Sequence, residues 1–395
     1  MGDGIAPGPF FAPRTLPGEV ITATAQGQQL DDIRIVTPSP DRVAPPCRHY
    51  KGCGGCQLQH ASDAFVAGWK QQVVIDALAA QGLQTAFRPI LTSPPNARRR
   101  ATLSVRRTKK GTLAGFHGRA SGTIVEIPGC HLLDPALIDA LPLASALAQA
   151  GASRKGEMDV TLTLARGGLD VVVKGGKPAD AALRMALAGL AEQFHLSRLT
   201  WEEEVIALRA PPTIQFGSAQ VSPPPGAFLQ ATPQGEAALL AAVTGITTGA
   251  RRIVDLFAGC GTFALPLASS AEVHAVEGDR AMTGALDKGW RQADGLKKVT
   301  TEARDLFRRP LLADELRQYD AAVIDPPRAG AEAQTAELAK ARIPVIAFVS
   351  CNPVTFARDA KTLCDAGYTL DHIQVVDQFR WSTHIELVAA FRLGA

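Results

Sequence analysis

The 395-residue sequence predicts a multidomain protein with three parts: a small N-terminal β-barrel-like module, a central α+β domain and a C-terminal doubly wound α/β domain. The chain is longer than one ordinary core requires, so two or three domains are expected. A hydrophobic content of 46% is typical of a globular protein. After Pro223-Pro224-Pro225, helices alternate with short apolar strands, which is typical of a parallel sheet covered by helices on both faces.

Residues 1–46 are predicted to form the small β-module. They are rich in Pro and Gly and contain two runs of β-forming residues, at positions 19–24 and 33–36. Prolines at positions 38, 40, 45 and 46 predict a linker after the second run. The first residues lack the basic and apolar segments of a secretion signal, and the chain has no apolar stretch of about 18 residues. We therefore expect a cytoplasmic protein without a membrane span.

Residues 47–225 are predicted to form the central α+β domain. Positions 62–81 have helical periodicity and place four apolar side chains on one side: Phe65, Trp69, Val73 and Leu78. Residues 100–127 and 158–174 are each interpreted as a pair of strands around a glycine-containing turn, and residues 136–150 as a helix. Helices and strands therefore mix here without the regular alternation that follows residue 225.

Seven basic residues lie close together in the central domain. They are Arg98, Arg99, Arg100, Arg106, Arg107, Lys109 and Lys110. The net charge of the whole chain is only +3, so its overall field does not indicate a nucleic-acid partner, but a local cluster of this kind suits contacts with phosphates. A solvated hairpin surface is the alternative interpretation.

The seven cysteines indicate metal binding and catalysis rather than a disulfide framework. Their number is odd, secretion is not expected, and three of them lie within ten residues, at Cys47, Cys53 and Cys56. Thiolates in such a group could hold either zinc or an iron–sulfur cluster, and Gly54-Gly55 lets the loop fold around a bulky group. Cys260 and Cys364 are interpreted as buried packing residues.

The C-terminal domain, residues 226–395, begins with a strand, turn and helix that suit a nucleoside-containing cofactor. Gly259-Cys260-Gly261 forms the turn, and its glycines let the backbone approach a ligand closely. The next strand ends at Glu277, whose carboxylate can accept hydrogen bonds from ribose hydroxyls. Position 264 is Ala rather than a third glycine, so nothing cradles a pyrophosphate, and S-adenosylmethionine (SAM) is favoured over NAD. A tight turn without a ligand is the alternative.

Two more strand ends and a late carboxylate point to chemistry at the same crevice. Asp325 follows one apolar strand, and Cys351 follows another. Asn352 is expected to cap the next helix and Pro353 to start it, so the thiol lies beside a helix N-terminus that favours the thiolate. A buried, inert cysteine is the alternative. Glu386 opens the predicted last strand among apolar neighbours, where a raised pKa suits a general base; a surface glutamate on an edge strand is its alternative.

Six short motifs spread over nearly the whole chain form one pattern. They are Cys47-x5-Cys53-Gly54-Gly55-Cys56-x-Leu58-Gln59-His60, Phe228-Leu229-Gln230, Asp255-Leu256-Phe257, Asp325-Pro326-Pro327-Arg328, Ser350-Cys351-Asn352-Pro353 and His384-Ile385-Glu386. This pattern resembles the RNA uracil-5-methyltransferase family, which contains 5-methyluridine synthases of ribosomal and transfer RNA. Leu16-Pro17-Gly18-Glu19 resembles the signature of TRAM, the small OB-type RNA-binding module of many relatives, here in a shortened form.

The resemblance implies a SAM-dependent enzyme that forms 5-methyluridine in RNA. Cys351 would add to uracil C6 and make C5 nucleophilic, and Glu386 would remove the C5 proton after methyl transfer. The implied SAM contacts are Gln230, Phe257, Thr262, Glu277, Asp305 and Asp325, with Thr262 standing where the family commonly has Asn. The implied ligands of a [4Fe–4S] cluster are Cys47, Cys53, Cys56 and Cys130.

The same resemblance favours an RNA substrate. Relatives with the cysteine cluster mostly modify 23S ribosomal RNA and those without it more often transfer RNA, so 23S ribosomal RNA is favoured, with transfer RNA as the alternative and a monomer expected. Two other functions compete. An amino-methyltransferase would use Asp325-Pro326-Pro327 but usually has an aromatic residue where Arg328 stands. A non-catalytic RNA-binding or iron–sulfur sensor protein would not need Cys351 and Glu386.

Overall fold

The computed structural model describes residues 2–8, 10–154 and 156–394, which form three sheets, a separate hairpin and the helices that connect and cover them. No helix within these ranges is long and apolar enough to cross a membrane. The three sheets form an N-terminal module, a central domain and a C-terminal domain.

The N-terminal module is a four-stranded sheet. Its strands are β1 (Gly4–Ala6), β2 (Phe10–Ala12), β3 (Val20–Gln26) and β4 (Gln29–Thr37). The order β1-β2-β4-β3 leaves β1 and β3 at the two edges in the described part of the module. A barrel requires its first and last strands to pair, and β1 and β2 are only three residues long. The described residues therefore form an open sheet, and the predicted barrel-like closure is not found in them.

Helix α1 (Asp63–Ala79) and strand β5 (Ala86–Thr92) follow the linker. The buried side of α1 differs from the predicted side except at Leu78: it is formed by Val66, Lys70, Val74 and Leu78. The Lys70 side chain is completely buried, and its ammonium donates to Asp377 at 2.6 Å. The charged Lys70 interrupts the apolar periodicity of the buried side. The sequence pattern therefore predicted residues one position earlier in the chain for three of the four positions.

The central domain is a seven-stranded sheet with three helices. In chain order its elements are β6 (Arg100–Thr108), β7 (Gly111–His117), β8 (Ile124–Glu126), α2 (Pro135–Asp139), α3 (Leu141–Gly151), β9 (Glu157–Ala165), β10 (Gly168–Lys174), α4 (Ala181–Gln193), β11 (Arg198–Trp201) and β12 (Glu204–Leu208). The strand order is β12-β11-β10-β9-β6-β7-β8. Leu147 of α3 and Leu187 of α4 share one core with Leu103 and Val160 of the sheet. This confirms the predicted mixture of helices and strands.

The C-terminal domain is a doubly wound α/β fold preceded by a hairpin. In chain order its elements are β13 (Ile214–Phe216), β14 (Ala219–Val221), α5 (Pro233–Ile246), β15 (Arg252–Leu256), α6 (Ala264–Leu267), β16 (Glu272–Glu277), α7 (Arg280–Arg291), β17 (Val299–Ala303), α8 (Ala313–Leu316), β18 (Ala321–Ile324), α9 (Glu332–Ala341), β19 (Val345–Ser350), α10 (Pro353–Asp365), β20 (Tyr368–Asp377) and β21 (Leu387–Leu393). The sheet order is β17-β16-β15-β18-β19-β21-β20-β5. Strands β15 to β19 are parallel, and β21 runs antiparallel between β19 and β20.

Strand β5 crosses the predicted boundary between the central and C-terminal domains. It pairs in parallel with β20 at the edge of the C-terminal sheet, although the sequence pattern assigns residues 47–225 to the central domain. Helix α1 also packs against the C-terminal domain, because its residues Val74 and Leu78 share a core with Phe356 and Leu363 of α10. Residues 63–92 therefore fold with the C-terminal domain. Pairing between strands so distant in sequence leaves no local signal from which this could be predicted.

The parallel strands direct successive side chains to opposite faces of the sheet. Ile253 packs with α5 and α6 on one face, while Val254 and Leu256 pack with α9 and α10 on the other. Both faces are thus occupied by apolar residues, and polar side chains collect beyond the carboxyl ends of β15, β16, β18 and β19. Ligands of open α/β sheets bind beyond these ends.

Candidate active site

Cys351 and Glu386 face each other across two neighbouring antiparallel strands. Ser350, the last residue of β19, pairs in register with Leu387, the first residue of β21. Cys351 follows Ser350 and Glu386 precedes Leu387, so the next step of the same register places the thiol opposite the carboxyl. Side chains directly opposite each other in an antiparallel pair are close neighbours. The two residues predicted from separate motifs are therefore brought together.

The surroundings of Cys351 confirm its predicted helix but not its predicted ionisation. The Asn352 side chain accepts a hydrogen bond from the Val354 N–H at 3.1 Å, and Pro353 is the first residue of α10. Burial, and then the charges of Glu386 and Asp325, raise the pKa of the Cys351 thiol to about 11, although Arg328 acts in the opposite direction. The prediction of a favoured thiolate is wrong for this pocket, because burial and two carboxyl groups outweigh the helix N-terminus.

Glu386 is a buried carboxyl group, with only 4% of its surface exposed. Strand β21, which it precedes, lies inside the sheet, so the alternative of a surface glutamate on an edge strand is wrong. Burial and the charge of Asp325 raise the pKa of Glu386 to about 8, while a hydrogen bond from Gln378 acts in the opposite direction. A carboxyl group with such a pKa can exchange a proton near neutral pH.

Asp325 and Asp255 add two more carboxyl groups to the same end of the sheet. Burial raises the pKa of Asp325 to about 7. Asp255, on the neighbouring strand β15, is completely buried, and neither of its oxygens has a hydrogen-bond partner among the described residues. Burial, and then the charges of Asp325 and Glu277, raise the pKa of Asp255 well above its usual range. The Ala264 N–H acts in the opposite direction without forming a hydrogen bond of normal geometry. Asp325 therefore acts on both Asp255 and Glu386.

The turn after β15 has the geometry of a ligand-binding loop. Phe257 has a left-handed backbone with φ of 63°, which is uncommon for a non-glycine residue and typical of functional sites. Its ring lies 5.4 Å from the ring of Phe307, measured between centroids. Glu277, at the end of β16, accepts hydrogen bonds from the backbone N–H groups of Gly259 at 3.0 Å and Asp279 at 2.9 Å. The predicted acidic strand end therefore lies against the glycine turn.

The remaining residues implied as SAM contacts surround this turn or lie across the crevice. Thr262 is half-buried and follows the second glycine of the turn. Asp305 is exposed after β17 and accepts a hydrogen bond from the Phe307 N–H at 3.0 Å. Gln230 is buried on the loop before α5, and its side-chain nitrogen lies 3.5 Å from Asp325 Oδ2.

The basic residues predicted as a phosphate-binding cluster fall into a group with internal hydrogen bonds and a group exposed to solvent. Arg99 is 8% exposed, donates to the Gln230 carbonyl at 3.1 Å and forms an ion pair with Glu236 of α5. Arg100 donates to the Gly226 carbonyl at 3.2 Å. Arg98 lies beside them and is half-buried. Arg99 and Arg100 therefore hold the loop before α5, and Arg98 donates to the Arg100 carbonyl at 3.1 Å. Lys109 and Lys110 are exposed on the β6–β7 hairpin.

The four cysteines implied as cluster ligands line one cavity in the central domain. Cys47, Cys53, Cys56 and Cys130 share it with His49, Tyr50, Phe116, Ile127 and Leu132. Burial raises the pKa of Cys56 to about 12, and the three neighbouring thiols act in the same direction. Within the described ranges, no group of three or more His, Cys, Asp or Glu side chains is arranged to hold a metal ion. Cys260 is buried in the C-terminal core and Cys364 packs against it, in agreement with their predicted packing roles.

Two residues of the site were not predicted. An acidic residue inside the apolar run Ile253-Val254-Asp255-Leu256 is a signal that could have identified Asp255, because a strand buried on both faces rarely carries a carboxyl group without a function. Gln378 bonds to Glu386 and Gln230 from the connection between β20 and β21. No local pattern distinguishes it from an ordinary loop glutamine.

The chain is similar to known proteins over most of its length. A family model described as tRNA (uracil-5-)-methyltransferase matches residues 291–391. A Rhizobium meliloti (strain 1021) protein described as an uncharacterized RNA methyltransferase is 44% identical over 98% of this chain and 96% of its own length. The 23S rRNA (uracil(1939)-C(5))-methyltransferase RlmD of Halomonas elongata is 34% identical over 95% of this chain and 83% of its own length.

A solved structure supports the fold over the whole chain. The tRNA (uracil-54, C5)-methyltransferase of Pyrococcus abyssi, in complex with S-adenosyl-L-homocysteine, superposes with a TM-score of 0.75 at 21% identity. The match covers 98% of this chain and 96% of that one. The resemblance carried by the six sequence motifs is confirmed, and the chain belongs to the RNA uracil-5-methyltransferase family, whose members are SAM-dependent enzymes.

Proposed function

We propose that this protein forms 5-methyluridine in 23S ribosomal RNA, with Cys351 as the nucleophile and Glu386 as the base that removes the C5 proton. The observation that carries the proposal is the register of β19 and β21, in which Ser350 pairs with Leu387. One step beyond this pair, the Cys351 thiol and the buried Glu386 carboxyl group stand opposite each other. A reaction that adds a nucleophile to one carbon of a base and removes a proton from the next carbon needs two such groups side by side.

The reaction begins at the Cys351 thiol. Uracil C5 is a weak nucleophile until Sγ bonds to C6 and the π electrons move toward C5 and O4. Because the pKa of the thiol is about 11, its proton has to leave as the S–C6 bond forms. Asp325 and Glu386 both act on the thiol, and their pKa values of about 7 and 8 suit the exchange of a proton with it or with water near neutral pH.

Glu386 completes the reaction after C5 has gained its methyl group. The carboxylate takes the proton from C5, the electrons return to the C5–C6 bond, and the S–C6 bond breaks to release the cysteine. The pKa of about 8 makes Glu386 a stronger base than an ordinary carboxylate and leaves part of it ionised at neutral pH. Burial, which excludes water from the carboxyl group, therefore serves this step directly.

SAM supplies an electrophilic methyl group when it is bound. The residues of this chain that we propose to hold it are Gln230, Phe257, Thr262, Glu277, Asp305 and Asp325. Three observations fit a nucleoside-containing ligand here: the left-handed backbone at Phe257, the carboxylate of Glu277 at a strand end, and the unpartnered oxygens of Asp255 beneath the turn. Buried polar atoms without partners are a feature of sites that gain them from a ligand.

The chemical type of the four side chains that line the cysteine cavity supports the proposed [4Fe–4S] cluster, although the described residues do not already have a metal-binding arrangement. Four thiols and an apolar wall formed by Phe116, Ile127 and Leu132 surround one space, and four cysteines are the usual ligands of such clusters. We propose Cys47, Cys53, Cys56 and Cys130 as the ligands. The methyl transfer described above requires no electron, so the proposed group is structural.

The proposed substrate rests on sequence similarity to a 23S ribosomal RNA enzyme at 34% identity. Transfer RNA is the alternative, since other members of the family act on it. Both RNAs would present the same uracil to Cys351, so the pocket chemistry is equal for the two. Both RNAs therefore have to be tested.

A Glu386→Gln variant tests the reaction and the substrate together. The amide cannot accept the C5 proton, so we expect turnover to fall by about 10²–10⁴-fold and methylated RNA to remain bonded to Cys351. The variant is incubated with SAM and either 23S ribosomal RNA or bulk transfer RNA, and the bonded RNA is detected on denaturing gels. A bonded 23S fragment supports the proposal.

Cys351→Ala is the control, because it cannot form the bond. Bonded transfer RNA would change the substrate but not the chemistry. Full turnover of Cys351→Ala would favour an amino-methyltransferase. The absence of 5-methyluridine from both RNAs with the unmodified protein would favour a non-catalytic RNA-binding or sensor function.

A further inference from the structure

Gln378 lies directly after β20 and has only 2% of its surface exposed. Its side-chain oxygen accepts a hydrogen bond from the Ala231 N–H at 2.8 Å. Its side-chain nitrogen donates to Glu386 Oε2 at 3.1 Å and to the side-chain oxygen of Gln230. A single amide thus joins the carboxyl group proposed as the base to a residue proposed to contact SAM.

The orientation of this amide is fixed by the backbone. The Ala231 N–H can only donate, so the oxygen of the Gln378 amide has to face it. The –NH2 group is thereby directed at the two acceptors, Glu386 and Gln230. The two N–H donors of Gln378 therefore stay directed at the pocket whether or not substrates are bound.

Packing holds Gln378 from the opposite side. Gly235 lies in the first turn of α5, and a Cβ atom there would lie 2.5 Å from the Cβ atom of Gln378. Such a distance excludes any larger residue unless the backbone moves. Gln378 is confined between α5 and the pocket, so it loses little additional freedom when it holds Glu386.

We propose that Gln378 is a positioning residue that orients the Glu386 carboxyl group for proton removal and links it to the Gln230 side chain. The proposal rests on the proposed function, because it assigns Gln378 to the step performed by Glu386. With Oε2 held by Gln378, Oε1 is the oxygen left to take the C5 proton. Gln378 therefore holds both the proposed base, Glu386, and the proposed SAM contact, Gln230.

Gln378 also opposes the acidic surroundings of Glu386. Burial and Asp325 raise the pKa of Glu386, and the hydrogen bond from Gln378 lowers it. The other ionisable groups around this pocket are Cys351, the cation Arg328, which acts on Cys351, and Asp255, on which Asp325 acts. Within the described ranges, Gln378 provides the only hydrogen bond that the Glu386 side chain receives.

A Gln378→Met variant keeps the length of the side chain and removes both donors. Glu386 should then ionise only at higher pH, so we expect the acidic limb of the turnover–pH profile to move up by about one pH unit and turnover at neutral pH to fall about tenfold. Addition of Cys351 and methyl transfer precede proton removal, so RNA bonded to the enzyme should accumulate on denaturing gels, as in Glu386→Gln.

Gln334→Met is the matched control. Gln334 is 1% exposed, and its amide bonds the Leu311 backbone at 2.8 and 3.1 Å, away from the pocket. A pH shift and bonded RNA in Gln378→Met but not in Gln334→Met support the proposal. If both variants only lower the melting temperature, with neither a pH shift nor bonded RNA, Gln378 merely supports the fold and the proposal is overturned.

Two further arms keep the outcomes separate. If Gln378→Met does not fold, Gln378→Asn withdraws the same donors with a smaller polar side chain, and the same comparison is made. If Glu386→Gln bonds no RNA and the unmodified protein makes no 5-methyluridine, the proposed function fails and the role of Gln378 fails with it. A failure confined to the Gln378 variants overturns only the positioning role.

Discussion

Asp255 is a carboxyl group held where ionisation is unfavourable. It is fully buried on β15, its oxygens have no partners among the described residues, and burial raises its pKa well above the usual range. Unfolding exposes the group to water and restores an ordinary carboxyl pKa. Below that ordinary pKa both states are protonated and stability is unaffected. As the pH rises from there toward the folded pKa, the folded state loses stability relative to the unfolded state.

An Asp255→Asn variant should therefore become more stable than the unmodified protein as the pH rises. Asparagine has the same shape and never ionises, so we expect nearly equal free energies of unfolding at about pH 4. The advantage of the variant should grow by up to about 1.4 kcal/mol per pH unit above that. Urea unfolding between about pH 4 and 9 measures it. Asp314→Asn, at an exposed carboxylate, corrects for the change in net charge, and an equal pH dependence in both variants would contradict the prediction.

Much of the candidate site could be predicted at the level of residues, because strand ends are visible in the sequence. Cys351, Asp325 and Glu277 each follow an apolar run, and the fold places them where expected. The ionisation of Cys351 could not be predicted, since it depends on Glu386, which is distant in sequence and adjacent only through the pairing of β19 with β21. Gln378 was missed for the same reason.

At the level of elements, α1 is attached to the end of β20 by one buried ion pair. The Lys70 ammonium donates to Asp377 Oδ1 at 2.6 Å and to the Phe379 carbonyl at 3.2 Å, and neither partner of the ion pair has more than 2% of its side chain exposed. Asp377 also accepts the Phe379 N–H at 3.1 Å. This ion pair fixes the residues immediately before and after Gln378, so α1 supports the connection that carries the pocket.

A Lys70→Met variant should be strongly destabilised, because it leaves the Asp377 carboxylate buried without its cation. Removing one partner of a buried pair costs about 3–5 kcal/mol, and we expect a loss of this size in chemical unfolding. Adding Asp377→Asn should recover part of the loss, since no unpaired charge then remains. Lys361→Met breaks an exposed pair with Asp365 on α10 and should cost less than about 1 kcal/mol. A similar small cost for Lys70→Met would show that the pair contributes little.

The elements themselves were predictable where local patterns determine them. The parallel strands β15, β16, β18 and β19 are apolar runs bounded by turns, and they lie where the sequence places them. The membership of β5 was not predictable, because its pairing with β20 is decided by tertiary contacts between distant segments. The same limit applies to the buried side of α1. From the sequence alone Lys70 is expected at the surface, and only its tertiary partner Asp377 explains its burial.

At the level of the whole molecule, the cysteine region and the pocket are joined through one residue. The Trp381 carbonyl accepts hydrogen bonds from the backbone N–H groups of Gln57 at 2.8 Å and Leu58 at 2.9 Å, just after Cys56. The Trp381 side chain is buried in the central core, and its backbone is left-handed with φ of 60°. A non-glycine residue holds this conformation only when its surroundings enforce it. Trp381 lies between Gln378 and Glu386 on one connection, so the cysteine region supports the segment that carries Glu386.

A Cys130→Ser variant should therefore affect both regions. With the proposed cluster, the unmodified protein purified without oxygen should be brown, bleach on reduction and contain iron and sulfide, and the variant should lose them. Because a structural metal group contributes to folding free energy, the melting temperature should fall by several degrees. The Gln57 and Leu58 amides should exchange hydrogen faster as their bonds to Trp381 loosen. Cys364→Ser, at a packing cysteine, should change none of these properties. If the unmodified protein is colourless and contains one zinc ion per chain, the bound group is zinc and not an iron–sulfur cluster.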